Sequence, residues 1–185
     1  MKTLRHLAAR PAASPLAADD VLEFHAGRLL LLLSTCGGAT STISGLTKMA
    51  KLDFFVRYPD FFNAVESRGK SPREGGAVEA AMVRHHYGPW DKRYYHLLAY
   101  LEARQLISVR LTGRAYRIAL TSLGKTTAKK FVGSAAFADL LKHMRAVNEK
   151  FGRKSGNELK NLIYETFGEE VAEQELGTVI SGVRK

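Results

Sequence analysis

The chain has 185 residues, 45% hydrophobic and 25% charged, enough for one core and too apolar for a disordered class. Its longest apolar run, Leu29–Leu33, is far short of the ~20 residues that span a bilayer, so no membrane partner is expected. The net charge of +10 is uneven: Lys/Arg against Asp/Glu run seven to six over residues 1–66, thirteen to four over 67–138, and eight to eight over 139–185.

Residues 1–18 are basic and Ala-rich and lack the continuous apolar stretch of a secretory signal; they read as a flexible tail. Asp19-Asp20 then opens a first helix, suiting its dipole. Leu22, Ala26, Leu29, Leu30 and Leu33 recur on one face of it, and Gly37-Gly38 ends it. The single cysteine, Cys36, excludes an intramolecular disulfide and points to a reducing cytoplasm. Nothing beside it activates the thiol, so it reads as structural.

A second helix is expected over residues 45–58, heavily apolar, with Lys48 and Lys51 on its remaining polar side and Asp53 and Arg57 as an i, i+4 pair. Pro59 stops or kinks it, and a short helix carries Phe61, Phe62 and Val65. Residues 67–76, "SRGKSPREGG", read as a loop.

"MVRHHY" (82–87) reads as extended. Gly88 is then expected as an N-cap and Pro89 at the first position of a helix running to Arg104, with Asp91 in its first turn. Trp90, Tyr94, Leu97, Leu98 and Leu101 share one face, so half the aromatics of this dense stretch are assigned to the core, with Tyr87, Gly88 and Pro89 setting the entry angle.

"ISVRL" and "AYRIALT" alternate strictly around Thr112-Gly113, which predicts a hairpin pairing Leu111 with Arg114, Val109 with Tyr116 and Ile107 with Ile118. Its apolar residues fall on one side, Arg110 and Arg117 on the other, and Arg114 at the tip. Thr121 caps a helix carrying Lys125 and Lys129 one turn apart. Two more helices follow. One bears Phe137, Leu140, Leu141, Met144, Val147 and Phe151; the other starts at a Ser155–Glu158 capping box, carries Leu159, Leu162, Ile163 and Phe167, and ends at Gly168.

The expected fold is therefore mainly α with a small β-hairpin. Three helices, a basic hairpin and a helix follow the order of a winged helix-turn-helix. Residues 19–132 form that domain, and 133–185 a C-terminal helical extension. The helix before the hairpin occupies the recognition slot.

No catalytic or metal constellation is evident. His85 and His86 are neighbours on an extended segment and point to opposite faces, and no HExxH, paired-Cys or Gly-rich phosphate motif accompanies them. No cofactor, small-molecule substrate or enzymatic activity is expected. The stretch from Ala103 to Ala138 contains no acid, and the candidate DNA contacts are Lys92, Arg93, Arg110, Arg114, Arg117, Lys125 and Lys129. The recognition slot lacks an Asn/Gln/Arg array for reading bases, which favours backbone contact or protein docking over sequence-specific repression.

Three segments, residues 45–59, 82–107 and 159–167, together resemble the winged-helix middle components of bacterial ABC-three-component defence systems, including the accessory subunit of Lamassu-type anti-phage and anti-plasmid systems. Leu46-Thr47-Lys48, Leu52-Asp53, Arg57-Tyr58-Pro59, Tyr87-Gly88-Pro89-Trp90-Asp91 and Arg93-Tyr94 carry the resemblance. It implies a non-catalytic subunit that bridges or regulates an SMC-like ABC ATPase and a nuclease-type effector, with double-stranded DNA a further partner. The competing class is a free-standing regulator of MarR or PadR type, dimerising through its terminal helices.

Overall fold

The computed structural model describes residues 21–67 and 81–180. The tail at 1–18, Asp19-Asp20 and all of the 67–76 loop except Ser67 lie outside them. The described chain is mainly helical, with two small antiparallel sheets.

Helix α1 spans Leu22–Cys36 and buries all of Leu29–Leu33 rather than a single face. Helices from both halves of the chain pack around it, which suits a helix apolar on every side. Strand β1 (Thr42–Ser44) leads into α2, Leu46–Arg57, close to the expected 45–58. From Met49 to Arg57 every residue of α2 is buried. Lys51, expected to share a polar side with Lys48, is enclosed because a later strand and helix cover that side. Pro59 opens a separate helix, α3 (Pro59–Glu66).

The segment after the loop differs from expectation. Gly88 and Pro89 do not start a helix. Gly88–Trp90 form a strand, β3, pairing antiparallel with β2 (Val83–His85) so that His85 faces Gly88 and Val83 faces Trp90. A glycine at positive φ followed by proline suits a tight hairpin as well as a helix start, and here the partner strand decides. Helix α4 begins only at Tyr94 and runs to Ala103. Residues 178–180 add a third extended segment beside β2: Arg84 N donates to Thr178 O at 2.8 Å and Ile180 N to Met82 O at 2.9 Å.

Strands β4 (Ile107–Thr112) and β5 (Ala115–Leu120) form the expected hairpin in a different register. Val109 faces Ile118, Leu111 faces Tyr116 and Arg110 faces Arg117, around a Gly113-Arg114 loop. The loop takes Gly113 first, at φ 62°, where a type II′ turn needs a glycine. The slip is by two residues, so the expected faces survive. β1 adds to β5, giving the order β1-β5-β4.

Helix α5 (Ser122–Val132) is capped by Thr121, whose Oγ1 accepts from Gly124 N at 3.0 Å. Helix α6 (Ala138–Phe151) and helix α7 (Gly156–Thr166) follow, the latter opened by the predicted Ser155–Glu158 capping box. Both pack into the same core as the preceding elements. Phe55 of α2 stacks on Phe151 with ring centroids 4.4 Å apart, and Phe61 of α3 meets Phe167 edge-on at 4.7 Å.

Candidate nucleic-acid interface

The β4–β5 hairpin projects from the sheet. β1 ends at Ser44, opposite Arg117, and every residue from Arg110 to Arg117 is exposed. Arg110 and Arg117 stand directly opposite each other on one face, and Arg114 sits in the loop. Among the described residues none of the three has a carboxylate partner. Lys125 and Lys129 are exposed on α5, and Lys92 is exposed in the turn before α4. Six of the seven candidate cations are thus open to a polyanion. The seventh, Arg93, is 31% exposed and engaged inside the molecule.

That engagement explains much of the stretch "HHYGPWDKRYY". Asp91 is almost fully buried ahead of α4. Its Oδ1 accepts from Arg93 N and Nε at 2.9 Å, and its Oδ2 from Arg93 Nη2 and Arg57 Nη1 at 2.7 Å. Arg57 Nη1 lies 3.7 Å from Asp53 Oδ2. Asp53 in turn accepts from Arg28 Nε at 2.8 Å and from the Tyr94 hydroxyl at 2.7 Å. The two ring nitrogens of His25 face Arg28 Nη1 at 2.8 Å and Arg93 Nη1 at 2.6 Å, closing a ring of charged and polar groups. The ring ties α1, α2 and the start of α4 together, and so fixes the direction of α4 and of the hairpin behind it. Arg57 Nε and Nη2 are buried without a hydrogen-bond partner among the described residues.

Burial alone would raise the Asp91 carboxyl. The Arg93 hydrogen bonds and the charges of Arg57 and Arg93 outweigh it and hold Asp91 well below the usual carboxylate range. Burial pushes the Tyr94 hydroxyl far up, and the charge of Asp53 adds to that. Tyr94 is therefore a neutral donor. Of the residues expected as anchors, Gly88, Pro89 and Tyr94 are buried. Trp90 is only half-buried, stacked on His85 at 5.5 Å and edge-on to Tyr94 at 5.0 Å. Tyr87 is 60% exposed at the turn.

Beneath the β2–β3 hairpin, Lys51 is fully buried and donates to Pro89 O at 2.8 Å. Burial, then the charges of Arg84 and Lys160, lower its ammonium to about 7. Burial raises the Cys36 thiol to about 12, which leaves it inert as a nucleophile. Among the described residues no group of three His, Cys, Asp or Glu is placed to hold a metal ion, and no helix is long and apolar enough to cross a membrane.

Sequence reasoning missed the ring. Asp53 and Arg57 read as a favourable i, i+4 pair, which they are at 3.7 Å, but nothing in that reading joined them to the other members of the ring. The available signal was His25 and Arg28, three residues apart beside five consecutive leucines. Comparison with protein-family models and with curated proteins gives no match for this chain.

Proposed function

We propose that the chain is a non-catalytic, cytoplasmic winged-helix subunit that touches nucleic acid through its β4–β5 hairpin and works within an SMC-like ATPase assembly of a bacterial anti-phage or anti-plasmid system. The observation that carries the nucleic-acid part is a projecting hairpin with three exposed arginines and no carboxylate partner for them among the described residues. The order α1-β1-α2-α4-β4-β5, with β1 beside β5, supports the winged-helix reading; α3 and the β2–β3 hairpin are then an insertion between the second and third helices. The ATPase partner and the effector rest on the resemblance at residues 45–59, 82–107 and 159–167.

The regulator reading needs an apolar stripe on the terminal helices for dimerisation. Leu141, Met144, Val147, Phe151, Leu159, Ile163 and Phe167 are all buried inside the chain. The same burial moves the expected protein-facing surface away from α6 and α7. Exposed Tyr87, Tyr95, Leu176 and Val179 around the β2–β3 hairpin take its place in this reading. Co-purification of the tagged chain with the products of its neighbouring genes tests the assembly. Recovery of an ATPase supports it; a homodimer that protects one operator sequence overturns it.

A further inference from the structure

The projecting hairpin has a second face. Leu111 and Tyr116 stand directly opposite each other, 64% and 43% exposed. One pair inward on that face, Val109 packs against the core and Ile118 is buried in it. Leu111 and Tyr116 therefore continue the core face out past the core, into solvent. On the other face Arg110 opposes Arg117, an arrangement of like charges that destabilises an antiparallel pair when nothing lies between or over them. An exposed aromatic–aliphatic pair and an opposed pair of guanidiniums thus share a blade two strands wide.

A continuous duplex satisfies only half of this. It offers phosphates to the arginines, but its base faces are stacked on one another, and Leu111 and Tyr116 stay in water. An unpaired strand offers both phosphates and free base faces, and can bend round the edge of a blade to set a base on the apolar face and its flanking phosphates on the basic one; an aromatic ring near basic side chains is the usual platform for it. We propose that the hairpin binds unpaired nucleic acid, with bases stacked on Tyr116 and Leu111 and phosphates held by Arg110, Arg114 and Arg117. The loop position of Arg114 lets it serve either face. This rests on the reading of the hairpin as a nucleic-acid surface and names the form of nucleic acid it takes.

The test uses the full chain and three labelled probes at one salt concentration: oligothymidine, a strand of the same length made of abasic residues, and a duplex of the same length. Fluorescence anisotropy should show oligothymidine bound about tenfold more tightly than the abasic strand, the scale of one good stacking interaction. Leu111→Ala with Tyr116→Ala should bring oligothymidine down to the abasic level and leave the abasic strand unchanged, whereas Tyr116→Phe should keep the preference. Both positions are exposed, so these variants fold. Equal affinity for oligothymidine and the abasic strand, or a double variant that keeps the preference, overturns the stacking proposal while leaving nucleic-acid binding in place. Failure to bind any of the three probes overturns the nucleic-acid reading itself.

Discussion

Arg57 and Asp91, 34 residues apart in sequence, meet at 2.7 Å with neither side chain open to solvent. Asp91 also neutralises Arg93, so one carboxylate serves two guanidiniums. Asp91→Asn should cost about 3–5 kcal/mol, because it leaves buried Arg57 with only its longer contact to Asp53, which Arg28 already shares. Arg57→Met with Asp91→Asn should be less destabilising than the sum of the two single changes. Urea midpoints of the three variants measure both.

Lys51 gives stability an upward slope with pH. Its folded value of about 7 lies below the ordinary 10.5. Below about pH 7 the lysine is charged in both states, and burying that charge weighs fully against the fold. Between about 7 and 10.5 the unfolded chain keeps a proton that the folded chain has released, so stability rises through that window, by a few kcal/mol in all. Thermal melts from pH 7 to 9.5 should show the rise in wild type and a flattened profile in Lys51→Met.

Gly88→Ala should destabilise by about 1–3 kcal/mol. Gly88 sits at φ 94°, and a Cβ there would lie 3.3 Å from both Lys51 Cε and Tyr164 Cε1. Gly113→Ala, at φ 62° in open space, carries only the backbone cost and should be milder. Denaturant midpoints compared side by side check the order.

Replacing Arg110, Arg114 and Arg117 together with Ala should weaken nucleic-acid binding about equally for all sequences. For every phosphate that is no longer neutralised, the log–log salt slope should fall by about 0.9 on duplex and about 0.7 on a single strand. Anisotropy titrations over a salt series read that slope. A triple variant indistinguishable from wild type would make the hairpin an acidic-protein docking surface instead.

Periodicity made α6 and α7 legible, because burying a stripe of side chains leaves its spacing in the sequence, and the Thr121 cap made α5 legible. Hairpin pairing was legible only in its faces. A slip of two residues preserves which side Arg110 and Leu111 occupy, and Gly113 alone chooses between the registers. Pro89 misled because a proline after a positive-φ glycine suits a hairpin and a helix start alike, and what separates them is the pairing of Arg84 with Pro89. Trp90 and Tyr94 both read as core anchors; Tyr94 is fully buried, and Trp90 packs against the core from its edge, partly buried. The ring of His25, Arg28, Asp53, Arg57, Asp91 and Arg93 stayed hidden because the bonds that close it and tie it to Tyr94 join residues 25 to 68 positions apart, where no local pattern records them.

The packing of Phe55 against Phe151 and of Phe61 against Phe167 bears on how the chain is made. Ribosomes release a protein from its N-terminus, and units fold as they emerge. Here the aromatic residues of α2 and α3 wait for partners about a hundred residues downstream. Until Phe151 and Phe167 have emerged, those rings have only their neighbours within α2 and α3 to pack against. Apolar surface left open in this way during synthesis is the kind that favours aggregation over folding.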